Sequence, residues 1–109
     1  LMEAAAAGLA AAIDEARIRP ADIPVVANVT GRPITTEAEI RAELRAQVTA
    51  PVRWIATIEH MAGAGVTRFV EVGPGNVLTG LVKRIAPSAE RATIGDTAGV
   101  RKWVTGVGG

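Results

Sequence analysis

The stretch Glu71–Arg84, EVGPGNVLTGLVKR, places a glycine-rich turn between an apolar run and an amphipathic helix pattern. Many phosphate-binding loops begin this way, so its reading decides what kind of α/β chain this is. A nucleotide-triphosphate loop needs a lysine directly after its second glycine, because that ammonium reaches the phosphates. Gly75 and Gly80 have the required separation, but Leu81 follows. A dinucleotide loop counted from Gly73 and Gly75 needs a small third residue where helix meets strand, and Leu78 stands there. Both nucleotide readings fail at the residue that carries the contact. What remains is a strand-to-helix turn in which Gly73 and Gly75 supply backbone freedom and Pro74 fixes φ.

Outward from the turn, Arg68–Val72 reads as a strand, and Val77, Leu78, Leu81, Val82 and Ile85 form the apolar face of the next helix. Upstream, Met2, Ala5, Leu9, Ile13 and Ala16 recur at spacings of three and four, predicting a helix over about residues 2 to 17. Pro20 and Pro24 stop it. Val25–Val29 reads as a short buried strand closed by a turn at Gly31, Arg32 and Pro33. Thr36 with Glu39 three residues on is a capping-box pattern, with a helical face through Ile40 and Leu44 up to about Val48. Pro51 suits the first turn of a further helix through Trp54, Ile55, Ile58 and Met61 to Gly63 and Gly65. Arg91–Ile94 is a weaker third strand, and Thr97 is placed to cap a last helix carrying Trp103, with a frayed glycine-rich end from Gly106. Strands alternating with helices predict an α/β architecture with short parallel strands and flanking helices.

A chain of 109 residues fits one domain or one piece of a larger one. Twelve basic and eleven acidic residues leave a formal charge of +1, without the global field of a nucleic-acid binder. The absence of cysteine excludes disulfides, thiolate metal sites and cysteine nucleophiles. No apolar run approaches the roughly 20 residues of a membrane span, so the expectation is a soluble cytoplasmic protein. Residue 1 is Leu and the helical pattern starts at once, which reads as a truncated piece.

Few groups offer chemistry. Ser88, the only serine, follows a helix end in an Ala-Pro-Ser-Ala context without a strained nucleophile elbow. His60, the only histidine, has no clustered ligands around it and reads as a surface or packing residue. Asp14 and Glu15 are sequence neighbours, so on a helix they point about 100° apart and cannot work as an acid–base pair.

The segments Pro24–Thr30 (PVVANVT), Gln47–Trp54 (QVTAPVRW) and His60–Ile85 (HMAGAGVTRFVEVGPGNVLTGLVKRI) together resemble the C-terminal third of malonyl-CoA:acyl carrier protein transacylases. The likeness runs from Leu1 to about Ile94, with several motifs in the family's order. It implies the C-terminal portion of an α/β-hydrolase-like acyltransferase core spanning residues 1–109, incomplete at its N-terminus. The implied activity moves malonyl from coenzyme A to the phosphopantetheine thiol of acyl carrier protein, in fatty-acid synthesis and without a cofactor. In that family a serine in a Gly-His-Ser-x-Gly elbow attacks the thioester, a histidine is the general base and an arginine pairs with the malonyl carboxylate. None of these can be placed on this sequence, which implies that the chain alone is inactive and that its partners include the N-terminal remainder of the enzyme. One catalytic support is implied within it. Gln47 matches the family's glutamine whose backbone carbonyl accepts a hydrogen bond from the catalytic histidine, with Pro51 and Trp54 in step. Lys83 and Arg84 lie off the apolar face of their helix and are candidates for meeting the acidic carrier protein, against the plainer role of complementing a helix C-terminus. A polyketide-synthase acyltransferase domain and a non-enzymatic α/β module stand as alternatives.

Overall fold

The computed structural model describes Met2–Val107, and its elements run α1 (Met2–Glu15), β1 (Val25–Val26), β2 (Pro33–Ile34), α2 (Glu37–Ala46), a 3-10 turn (Gln47–Thr49), α3 (Trp54–Gly63), β3 (Arg68–Val72), α4 (Val77–Ile85), β4 (Glu90–Ile94) and α5 (Thr97–Val107). This is an α/β chain, as expected. Its contacts divide it into two compact units, Leu1–Thr57 and Ile58–Gly109.

In the first unit α1 buries Ile13, with Ala6 and Ala10 half-covered on the same face. Ala5, Leu9 and Ala16 of the expected stripe stay exposed, so the inward face is rotated toward the smaller residues. The C-terminus of α1 would leave carbonyls without partners, and the Arg41 guanidinium supplies them. Its Nη1 donates to the Ile13 carbonyl, and its Nη2 donates to the Ala16 carbonyl at 2.8 Å. The same fork grips Glu37 one turn back at 2.9 Å, and Arg45 pairs with Asp14.

The expected strand over Val25–Val29 contracts to β1, which pairs antiparallel with β2 in the register Val25↔Ile34 and Val26↔Pro33. The sequence pattern implied a strand buried among parallel neighbours. Instead β1 and β2 form their own two-stranded sheet, and Val25 is exposed. Pro33 carries no N–H, so this ladder cannot lengthen through it. The reversal closes through Ala27, which donates to the Arg32 carbonyl and accepts from the Gly31 N–H, at 2.8 and 2.9 Å. Gly31 is obligatory here. Its φ is +68°, and a Cβ would lie 2.7 Å from the Ala56 Cβ.

The capping box forms as read, with Thr36 Oγ1 accepting from the Glu39 N–H at 3.1 Å and Glu39 Oε1 accepting from the Thr36 N–H at 3.1 Å. Pro51, by contrast, lies outside α3, which starts at Trp54. The cause lies in a partner distant in sequence: the Arg53 N–H donates to the Asn28 carbonyl at 2.8 Å, which ties down Pro51–Arg53 ahead of the helix, and the Arg53 carbonyl accepts the first helical bond from Thr57 at 3.0 Å.

In the second unit β3 and β4 pair in parallel over five residues, from Arg68↔Glu90 to Val72↔Ile94. Helix α4 makes the crossover and packs on both strands, while α5 packs on β4. Val82 and Ile94 are the buried side chains that these elements share, each contributing about 1.5–3 kcal/mol relative to exposure. Val77, expected on the apolar face of α4, is 81% exposed because it is the first residue after the turn. Arg68 lies 4.6 Å from the centre of the Trp103 ring, a cation–π contact from β3 to α5. The cap of α5 is Asp96 and not Thr97: its Oδ1 accepts from the Gly99 N–H at 2.7 Å, and its carbonyl accepts from Val100 at 3.0 Å. Gly106 still belongs to α5, and Leu1, Gly108 and Gly109 lie outside the described residues. No described helix is long and apolar enough to cross a membrane.

Candidate functional site

Gln47 sits where α2 tightens into the 3-10 turn, and its N–H closes α2 on the Glu43 carbonyl. Its own carbonyl accepts from the Ala50 N–H at 3.4 Å, a bond longer than the usual range of about 2.7–3.2 Å. A carbonyl oxygen has two lone pairs, so this one keeps acceptor capacity. The Gln47 side chain accepts from Asn28 Nδ2 at 3.1 Å, and Glu43 Oε1 accepts from the Val29 N–H at 2.8 Å. Glu43 and Gln47 are four residues apart, on one side of α2, and face the turn after β1. With Val26, Ala27, Ile40 and Leu44 they line a cleft of about 210 Å³. Asn28 and Glu43 escaped the sequence reading. The signal available was a polar pair at helical spacing beside the apolar pair Ile40 and Leu44.

The glycine turn lies in the other unit. Gly73 and Gly75 take φ of +133° and +87°, the left-handed region that explains both glycines. Asn76, in the cap position of α4, makes no side-chain cap bond. The carboxylate of Glu71 does that work from the strand. Its Oε1 accepts from the Thr79 N–H at 2.8 Å and the Thr79 hydroxyl at 2.7 Å, and its Oε2 accepts from the Leu78 N–H at 3.3 Å. A helix N-terminus attracts anions through free N–H groups and its dipole. Here the anion is covalently part of the chain, so the place that a phosphate would take is filled. The hydrogen bonds from Thr79, led by its hydroxyl, hold the Glu71 carboxyl below its ordinary value against a smaller opposing effect of desolvation. In the sequence Glu71 reads only as a strand residue, although an acid directly ahead of a glycine turn and helix is the available signal.

Lys83 and Arg84 occupy the last turn of α4 and are exposed, while Val82 between turn and strand is buried. They lie in a different unit from Gln47. His60 is exposed in the last turn of α3, and Ser88 is exposed between α4 and β4. Among the described residues no three His, Cys, Asp or Glu side chains gather as a metal site would require.

No protein-family model matches the chain. It is 38% identical over 96 residues, or 88% of its length, to malonyl CoA-acyl carrier protein transacylase of Bacillus subtilis (strain 168), covering 30% of that protein. It is 48% identical over 71 residues, or 65% of its length, to the polyketide biosynthesis protein ThaF of Burkholderia thailandensis, covering 6% of it. Among solved structures, a malonyl-transacylase in complex with its type II PKS acyl-carrier protein superposes with a TM-score of 0.80 at 36% identity, covering 96% of this chain and 34% of that one. The chain thus spans about a third or less of the proteins it matches.

The Glu71 cap has a pH signature. A depressed folded-state pKa contributes stability above the unfolded value of 4.5, and that contribution is lost as pH falls through the folded value. Glu71→Gln should therefore lower the thermal unfolding temperature at neutral pH, with the two melting curves converging in acid. A constant gap from neutral pH to below the carboxylate range would mean that the charge of Glu71 does not cap α4.

Proposed function

We propose, for a chain that belongs with the malonyl CoA-acyl carrier protein transacylases, that it forms the C-terminal portion of such an enzyme's acyltransferase domain, incomplete on its N-terminal side. The whole is a cytoplasmic enzyme that carries malonyl from malonyl-CoA to the phosphopantetheine thiol of acyl carrier protein for fatty-acid synthesis. The supporting observation is the 38% identity to the Bacillus subtilis transacylase across 88% of the chain. By itself the chain is inactive in this reading, since Ser88 stands exposed without an activating base.

The role of this portion is to orient. A serine hydroxyl attacks the malonyl thioester, a histidine takes its proton, coenzyme A leaves, and the pantetheine thiol then takes the acyl group. Both reacting side chains come from outside this chain. Gln47 contributes its backbone carbonyl, which accepts the N–H of one imidazole nitrogen and leaves the other free to receive the serine proton. The long 3.4 Å bond from Ala50 and the spare lone pair suit that task. Lys83 and Arg84 present two exposed cations to an acidic carrier protein, a contact that acts mainly on encounter and is screened by salt.

The identity to ThaF favours a second reading, the acyltransferase domain of a polyketide synthase. It covers 65% of the chain, against 88% for the fatty-acid relative.

The test is a graft in which this chain replaces the 96 matching residues of the Bacillus subtilis enzyme. The graft should transfer malonyl to acyl carrier protein. Within it, Gln47→Ala should keep activity within about tenfold, whereas Gln47→Pro, which displaces the carbonyl and removes an N–H, should lose about a hundredfold or more. Equal losses would mean that the side chain, and not the carbonyl, is what matters. A graft that folds but does not transfer malonyl would overturn the proposal.

Reversing both charges, Lys83→Glu with Arg84→Glu, should raise KM for acyl carrier protein by about tenfold at low salt. Malonylation of the enzyme by malonyl-CoA should stay at the parent rate. Equal damage to both half-reactions, or none to the carrier step, would return the pair to a structural role at the end of α4.

A further inference from the structure

We infer that Asn28 is a positioning residue for the Gln47 carbonyl, acting through the side chain of Gln47 and through Arg53. The inference rests on the role proposed above for that carbonyl. A 3-10 turn is a weak frame, because its hydrogen bonds are poorly aligned and its runs are short. The turn over Gln47–Thr49 is three residues long, and the bond that closes it is 3.4 Å. Such a turn does not by itself fix the direction of its first carbonyl. The restraint comes from outside it, and Asn28 applies it at both ends. At the first residue of the turn, Asn28 Nδ2 donates to Gln47 Oε1 at 3.1 Å across 19 residues of sequence. Beyond the turn, the Asn28 carbonyl accepts from the Arg53 N–H at 2.8 Å, pinning the Pro51–Arg53 segment.

Asn28 is itself held. The Ala27 N–H before it donates to the Arg32 carbonyl at 2.8 Å, and the Val29 N–H after it donates to Glu43 Oε1 at 2.8 Å. Glu43 also receives the Gln47 N–H on its backbone carbonyl, so Val29, next to Asn28, and Gln47 are held by the same residue of α2. Asn28 is half-buried, as are Glu43 and Gln47, so water competes for these bonds only in part. The side chain fits the task by size and chemistry. An amide donates and accepts, and its short stem keeps the contact close to the main chain.

The prediction follows from the two tethers. In the Bacillus subtilis graft, Asn28→Leu keeps the branched shape, with somewhat larger ends, and the backbone bond to Arg53 but removes the bond to Gln47. It should lower kcat for malonyl-enzyme formation by about fivefold, the size of one net hydrogen bond, with KM for malonyl-CoA unchanged. Asn28→Asp should retain the parent kcat, because the Gln47 amide can turn over and donate to the carboxylate. Since Gln47→Ala cuts the same link, Asn28→Leu combined with Gln47→Ala should be no slower than either single variant. Melting temperatures within about 5 °C of the parent identify variants that are folded. The inference is overturned if Asn28→Leu has the parent kcat while Gln47→Pro is inactive, or if the double variant shows the product of the two single losses. A fully active Gln47→Pro would instead remove the carbonyl's role, and the inference with it.

Discussion

The carboxylate of Glu71 on the first amides of α4 is the interaction from which the second unit is built. Strand β3 ends, two glycines reverse the backbone, and the same strand's acid returns to satisfy the helix that the turn begins. Without it α4 would start with unpaired N–H groups, because Asn76 supplies no cap. The parallel pairing of β3 and β4 requires a crossover helix seated on both strands, and α4 is that helix. The bond therefore joins the turn chemistry to the sheet topology. It also places a carboxylate on the amides that a phosphate would need at this loop.

The first unit relies on the same device with the signs exchanged. Arg41 satisfies carbonyls at the end of α1 where Glu71 satisfies amides at the start of α4. Glu43 and Asn28 do so for the turn after β1 and for the approach to α3. Few side chains are fully buried in either unit, so charged and amide groups from one element fix the backbone of the next. Functionally this matters because the atom proposed to support catalysis is a backbone oxygen. A main-chain atom can be aimed only by fixing the chain around it, and the network on Gln47 does that.

Much of this was legible in the sequence wherever one local rule governed an element. β3 and α4 fall on the expected residues, and the Thr36–Glu39 capping box forms, because periodicity and capping act within a few residues. β4 lies within one residue of its expected start. The misses came from bonds over long sequence separations. The pattern at Val25–Val29 could not reveal that Pro33–Ile34 would pair with it antiparallel, nor the pull of Asn28 on Arg53 that delays α3 past Pro51. Residue type favours Thr97 as the cap of α5, whereas Asp96, one residue earlier, holds the free amide. Gln47, Lys83 and Arg84 came from family likeness. Composition and spacing alone gave them no more than ordinary polar roles.

The proposal at the centre of this account is that this chain orients malonyl transfer while the reacting serine comes from elsewhere in the enzyme. Mass spectrometry of the graft, quenched after exposure to malonyl-CoA without acyl carrier protein and then digested, tests it most directly. The account predicts one malonyl adduct, on a serine from the Bacillus subtilis portion, which disappears when acyl carrier protein is added. A malonyl adduct on Ser88 that discharges to acyl carrier protein would contradict it.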